Sequence, residues 1–233
     1  MSTLSEIFKV FQDLYNSRKH LLEMIEDRGY NIDHLKNYTS DDIKTMFHEH
    51  INGNFGISAD IGPLDILVEK NQNNPASAEK MYVKYRMDPK FKGTSSFILQ
   101  ITDIYQNHLA VKDTLVIINI NRVLMKIGAK DKLDEEYVND LYVRKNYFVQ
   151  LFGIENFLLN ISKHQIVPKH RVLSKQETLD ILEKFKCDTS NLLTIKRDDP
   201  QAKYIGLRLK QVCEIEVENM SAGITKRYRL CVS

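Results

Sequence analysis

The run Thr114-Leu115-Val116-Ile117-Ile118-Asn119-Ile120 constrains this chain more than any other stretch. A strand that is apolar on nearly every residue has no face to give to water. It calls for a central position in a sheet covered on both sides by helices. Leu64 to Val68, Tyr82 to Tyr85 and Ser96-Phe97-Ile98-Leu99-Gln100-Ile101 read as companion strands. Gly62-Pro63, Asn71 to Pro75 and Lys92-Gly93-Thr94 mark the breaks between them. Asp103 to Asp113 leaves room for a short helix using Ile104, His108 and Val111, giving a β-α-β unit expected to be right-handed. Upstream, Leu4, Ile7, Phe8, Phe11, Leu14, Tyr15, Leu21, Leu22 and Ile25 form the stripe of a long amphipathic helix, interrupted at Arg18. Gly29 is placed to end it in the left-handed conformation. Thr39-Ser40-Asp41-Asp42 predicts a capped second helix through Phe47.

Apolar residues make up 42% of the 233 and charged residues 27%, a globular composition. From residue 151 onward there are 14 Lys and Arg against 10 Asp and Glu, a mild excess that favours an acidic partner at that end. The three cysteines, Cys187, Cys213 and Cys231, form no C-x-x-C pair, which argues against a disulfide framework and for a reducing compartment. No apolar run approaches the roughly 20 residues that span a bilayer, and the first residues lack the basic and apolar regions of a signal peptide. The expectation is a soluble intracellular protein.

Catalytic chemistry finds no foothold. A sheet-centred nuclease needs an Asp followed, on the next strand, by Glu-x-Lys or Asp-x-Lys, so that two carboxylates and a lysine meet at a divalent cation. Pro63-Leu64-Asp65 offers the first half, but Glu69-Lys70 lacks the intervening residue and Asp88-Pro89-Lys90 carries a proline suited to a turn. His48 and His50 flank Glu49 without a further ligand cluster, which reads as a solvated helix end and not as a metal site. The nine glycines build no phosphate loop, dinucleotide fingerprint or nucleophile elbow. No catalytic set, metal site or cofactor is expected.

The last third is organised differently. Phe157-Leu158-Leu159-Asn160-Ile161 is a strand candidate, and Val167-Pro168-Lys169-His170 must be extended ahead of its proline. Ser174-Lys175-Gln176-Glu177 is a capping box opening a helix to about Lys186, with Leu179, Ile181, Leu182 and Phe185 as its buried face. Asp199-Pro200 starts a second, short helix that Gly206 must end. The chain closes on a hairpin. Cys213, Ile215 and Val217 point one way and Glu214, Glu216 and Glu218 the other. After a turn over Asn219 to Gly223, Ile224, Lys226, Tyr228, Leu230 and Val232 alternate with Thr225, Arg227, Arg229 and Cys231. Arg227 and Arg229 then either satisfy Glu214 and Glu216 or form part of a docking face.

The ordered strings Val167-Pro168-Lys169-His170, Asp199-Pro200-Gln201-Ala202-Lys203-Tyr204-Ile205-Gly206-Leu207 and Arg227-Tyr228-Arg229-Leu230-Cys231-Val232 resemble the shared fifth subunit of eukaryotic nuclear RNA polymerases and its archaeal counterpart. The likeness is strongest over Leu158 to Val232 and persists at Met24-Ile25-Glu26-Asp27-Arg28-Gly29-Tyr30 and Gln100 to Ile120. The resemblance implies an α/β plus α+β protein: a nuclease-like jaw domain without nuclease chemistry at 1–156, and a small mixed assembly domain at 157–233. It implies docking on the largest polymerase subunit and association with the other subunits, through a module holding Val167, Pro168, His170, Pro200, Tyr204, Gly206, Leu207, Gln211, Arg227, Tyr228 and Arg229. It further implies a non-catalytic role in transcription, no membrane, no homo-oligomer, and weak contact with downstream double-stranded DNA.

Two strings depart from the family. After Gly-Leu the family usually has a basic residue and a glycine, where this chain has Arg208-Leu209-Lys210-Gln211. In place of a Thr-Pro loop near DNA stands Asn121-Arg122-Val123-Leu124-Met125-Lys126. There Arg122, Lys126 and Lys130 either touch phosphates or stay solvated. Such divergence points to an unusual eukaryote or a large DNA virus, hence to a nucleus, or to a viral factory, host nucleus or virion. The competing readings are a free-standing nuclease-fold DNA-binding protein, for which Asp65 would be essential, and a transcription adaptor sharing the C-terminal module.

Overall fold

A computed structural model of the chain describes residues 4–53, 60–70, 79–86, 94–120, 131–219 and 223–233. They divide into two compact units, Met1–Leu159 and Asn160–Ser233. Each is a mixed sheet with helices, and each is taken by itself below.

In the first unit, α1 (Leu4–Asp27) and α2 (Ser40–Asn52) precede β1 (Ile66–Glu69) and β2 (Lys80–Arg86). Then follow α3 (Thr94–Asn107), β3 (Thr114–Asn119), α4 (Asp131–Lys145) and β4 (Phe148–Gly153). The sheet runs β1-β2-β3-β4, with β1 antiparallel and the other pairs parallel. β3 is an inner strand buried from Thr114 to Ile118, as its apolar run requires. On one face Tyr82, Leu115, Ile117 and Val149 pack against Phe97, Ile101, Ile104 and Tyr105 of α3 and Val138 and Leu141 of α4. On the other, Tyr85 meets α1 and α2. The Arg18 guanidinium lies against its hydroxyl, and His50 Nε2 is 3.1 Å from its carbonyl oxygen. Among the described residues no helix is long and apolar enough to cross a membrane.

Four expectations are corrected here. Ser96 to Ile101 is not a strand but lies within α3, so the crossover helix is Thr94–Asn107 and not a short one after Asp103. Phe97, Ile101, Ile104 and Tyr105 are buried at helical spacing while Leu99 between them is 61% exposed, a pattern that a strand could not produce. Phe157 to Ile161 is not a strand either: two single 3₁₀ turns, Ile154–Phe157 and Ile161–Lys163, occupy the segment. Arg18 does not interrupt the α1 stripe. It is buried within it, beside Leu14, Ser17 and Leu21, and its Nη1 donates to the Leu64 carbonyl at 3.1 Å. His50 is no solvated helix end; it is fully buried, and burial holds its imidazole below its usual pKa.

The local signals fare better. Gly29 takes φ 86°, where a side chain would strain the backbone, and its amide closes α1 on the Glu26 carbonyl. Thr39 and Asp42 form a reciprocal capping box at α2.

The second unit contains β5 (Lys169–Val172), α5 (Lys175–Phe185), β6 (Leu193–Lys196) and α6 (Pro200–Tyr204). The hairpin β7 (Val212–Asn219) and β8 (Gly223–Val232) completes it. The sheet order is β5-β7-β8-β6, with β6 parallel to β8. Ser174 and Glu177 make the expected capping box, and Asp199 accepts from the amides of Gln201 and Ala202 to start α6 behind Pro200. One face of the sheet, with Ile195, Cys213, Ile215 and Cys231, closes on Ala202 and Leu207. The other face receives α5, where Phe185 tilts against Tyr228 at 6.0 Å.

The expected buried face of α5 is corrected: Ile181 and Leu182 are half-buried, but Leu179 and Phe185 are 59% and 54% exposed. A helix resting on one face of a four-stranded sheet covers only its innermost residues.

Candidate functional site

Two clusters of charged side chains bear on function, one in each unit. The first surrounds Asp65, the carboxylate singled out for nuclease chemistry. Its side chain is fully buried beside Lys84, and the two form an ion pair at 3.4 Å. Asp65 Oδ1 accepts the Tyr85 amide at 2.9 Å. Oδ2 accepts the Gly62 amide at 2.8 Å, the Tyr82 hydroxyl at 2.9 Å and Lys84 Nζ. The lysine also donates to the Asp60 carbonyl at 2.9 Å.

Tyr82-Val83-Lys84 thus brings a lysine to Asp65, with a tyrosine two residues before it where the acid-x-Lys pattern requires an acid. The phenol cannot replace that carboxylate. Burial, then the neighbouring Asp65 charge, push its pKa far up, so it remains a neutral donor. Three donors converge on Asp65 Oδ2 and one on Oδ1, so most of its acceptor capacity is spent within the fold. Among the described residues no group of three or more His, Cys, Asp or Glu is arranged to hold one.

The second cluster is the C-terminal hairpin. Register places Glu214 opposite Tyr228, Glu216 opposite Lys226, Ile215 opposite Arg227 and Cys213 opposite Arg229. Directly paired residues share a face, so Arg227 and Arg229 lie on the Cys213–Ile215 side and do not meet Glu214 and Glu216. The acidic face is neutralised by others. Glu214, nearly buried, accepts from Lys226 at 3.1 Å, Arg171 at 3.3 Å and the Tyr228 hydroxyl at 3.3 Å. Burial works against its ionisation, but the hydrogen bonds from Lys226 and Arg171 outweigh it and leave its pKa below the usual range. Arg171 also holds Glu177 at 2.6 Å, tying β5 to the first turn of α5. The Ser174 amide, then Arg171, bring Glu177 down to about 2.

The residues of the expected assembly module scatter over this unit. Val167 and Pro168 lead into β5, which holds His170, and all three are half-buried; His170 Nδ1 is 2.7 Å from the Pro168 carbonyl oxygen. A carbonyl only accepts, so Nδ1 carries the proton and Nε2 is left for another partner. Pro200 is exposed at the start of α6, and the Tyr204 hydroxyl accepts from Asn160 at 3.2 Å. Leu207 is 1% exposed and packs in the core. Gly206 at φ 68° and Lys210 at φ 66° turn the chain between α6 and β7. Gln211 braces that turn: its Oε1 accepts the Arg208 amide at 2.8 Å and its carbonyl accepts the Cys231 amide. Tyr228 faces α5, whereas Arg227 and Arg229 face the opposite side. Arg122, Lys126 and Lys130 lie outside the described residues.

Residues 159–231 match the family described as RNA polymerase Rpb5, C-terminal domain. A subunit of DNA-directed RNA polymerases I, II and III from Dictyostelium discoideum is 40% identical over 88 residues, covering 38% of this chain and 45% of that protein. The corresponding Caenorhabditis elegans subunit, RPABC1, is 27% identical over 223 residues, or 94% of this chain and 95% of the relative. Subunit 5B of the Arabidopsis thaliana DNA-directed RNA polymerases IV and V is 26% identical over 220 residues, 94% of this chain and 89% of the relative. Residues 159–231 are thus similar to an Rpb5 C-terminal domain, and the chain is similar along nearly its whole length to subunits of DNA-directed RNA polymerases.

Proposed function

We propose that this chain is a non-catalytic subunit of a multi-subunit DNA-directed RNA polymerase. It docks on the largest subunit through the Rpb5-type unit at its C-terminal end and contributes its first unit to a jaw around downstream DNA. The observation that carries the reading is the likeness over 94% of the chain to polymerase subunits of nearly the same extent. The chemistry of the first unit agrees with it. Asp65, which a nuclease would spend on a cation, is spent instead on the Gly62 and Tyr85 amides, Tyr82 and Lys84. A nuclease-like sheet without nuclease function follows from that exchange.

Within the assembly unit, Leu207 serves packing and Gln211 the turn, so the docking role falls to exposed positions such as Pro200 and Arg227. DNA contact by Arg122, Lys126 and Lys130 would be through phosphates, with residence in a nucleus or, for a viral chain, at a viral site of transcription. The test is affinity purification of the tagged full chain from its native source, with identification of what accompanies it. Stoichiometric recovery of the two large polymerase subunits is expected. Recovery of the chain alone would overturn the reading.

A further inference from the structure

Asn52 and Gly53 close α2, and both are exposed. A glycine after an asparagine has no side chain to shield its backbone nitrogen, which lies within reach of the asparagine's amide carbon. The helix holds this pair in check. Gly53 stays in the right-handed helical region at φ −83° and ψ 0°, and its N–H donates to the Glu49 carbonyl at 2.9 Å. Helix ends fray, so the bond protects only while the last turn is closed. The other described asparagine followed by a small residue, Asn16 before Ser17, lies inside α1. There Ser17 is 2% exposed and its hydroxyl donates to the Leu14 carbonyl at 2.9 Å.

We propose that Asn52 is a site of spontaneous deamidation, gated by the opening of the last turn of α2. When the turn opens, the Gly53 nitrogen attacks Asn52 Cγ. A new N–Cγ bond closes a succinimide ring, the Cγ–Nδ2 bond breaks, and ammonia leaves with the proton given up by the Gly53 amide. Water then adds to either imide carbonyl and yields aspartate or isoaspartate. Both products place a carboxylate at the C-terminal end of α2, where the helix dipole disfavours negative charge, and three residues from Glu49. Isoaspartate also lengthens the backbone by a methylene, which draws the Gly53 amide away from the Glu49 carbonyl. The same turn carries His50, whose Nε2 is 3.1 Å from the Tyr85 carbonyl oxygen, so the change reaches the packing of α2 on β2. The reaction runs one way, and the loosened turn accumulates with time.

The test incubates the full chain in mildly alkaline native buffer and maps its peptides by mass spectrometry. Labelling by isoaspartyl methyltransferase distinguishes the two products. Conversion at position 52 is expected ahead of Asn16, and faster still in denaturant, where the turn no longer protects. Gly53→Ala should slow it at least about tenfold, a barrier raised by about 1.4 kcal/mol, because the added methyl shields the nitrogen. The φ of Gly53 is negative, so alanine fits without left-handed strain and that variant keeps the fold. Asn52→Asp, one of the two products made directly, should raise hydrogen exchange of the Gly53 amide several-fold in native buffer. Conversion no faster than at Asn16, or unchanged by Gly53→Ala, overturns the assignment of the site. Equal rates in native buffer and in denaturant overturn the gating by α2, and unaltered exchange in Asn52→Asp overturns the loosening.

Discussion

Removing Asp65 or Lys84 separates a structural pair from a catalytic one. The two are 0% and 4% exposed as side chains and lie 3.4 Å apart, so each substitution strands a buried partner. Loss of one member of a buried ion pair costs about 3–5 kcal/mol, because the other charge is left unpaired out of water. For Asp65→Ala the cost includes the Gly62 and Tyr85 amides and the Tyr82 hydroxyl, three donors that lose their acceptor at once. Lys84→Met keeps the stem length and leaves Asp65 with its other three donors, so its loss should fall at the low end of that range.

The double variant Asp65→Ala/Lys84→Met removes both charges, and its loss should be smaller than the sum of the singles by about 1–3 kcal/mol. Amide hydrogen exchange of β2, read in native buffer, reports the first unit without interference from the second. The Tyr85 amide, which donates to Asp65, should lose protection first. Singles that cost less than about 1 kcal/mol, or additive effects in the double, would refute the claim that this carboxylate is consumed by the fold.

Three further outcomes follow from single residues. Burial lowers the His50 pKa below 6.5, so the unfolded chain binds the proton more readily and the first unit loses stability as pH falls below that value; His50→Gln should flatten this dependence in a pH series of hydrogen-exchange or unfolding measurements. Lys210 holds φ 66°, so Lys210→Gly should relieve left-handed strain and stabilise the second unit by up to about 1 kcal/mol, read as a melting temperature raised by a few degrees. Burial pushes the Cys213 and Cys231 thiols up to about 11, and a thiol reagent in native buffer should therefore modify Cys187 first, with the other two reacting only on unfolding.

Elements whose identity is local chemistry were legible in the amino-acid order. Gly29, the Thr39 and Ser174 boxes and Asp199-Pro200 each satisfy orphan amides or a left-handed turn within a few residues, so spacing alone discloses them. The run at β3 likewise announced an inner strand. The misread segment Ser96 to Ile101 was apolar enough for either state, and only the exposure of Leu99 decides between them. β4 and β6 escaped notice because short strands depend on neighbours distant in sequence, β3 for one and β8 for the other. Arg18 looked like an interruption because its acceptor, the Leu64 carbonyl, is 46 residues away.

The site shows the same division. Asp65 was found from Pro63-Leu64-Asp65, but its partner Lys84 was not, since a tyrosine occupies the place where an acid was sought. In the hairpin, alternation correctly divided each strand into two faces, yet the register between strands decides which faces coincide. That register puts Lys226, not Arg227 or Arg229, with the glutamates.

Across both units the buried carboxylates are tied down by protein donors. Asp65 takes two amides, a phenol and an ammonium. Asp113 takes the Lys80 amide at 2.9 Å and the Ala110 amide at 2.7 Å, and Glu214 takes two cations and a phenol. Each binds elements remote in sequence: β1 to β2, the α3–β3 connection to β2, and β5 to β7 and β8. A carboxylate engaged in this way rigidifies its surroundings. Arg227 is the converse case: it stands exposed on β8, on the side of the sheet away from Glu214 and Glu216. Charges buried for cohesion and charges held out on a rigid strand do different work, and only the second kind can meet the charge of a partner.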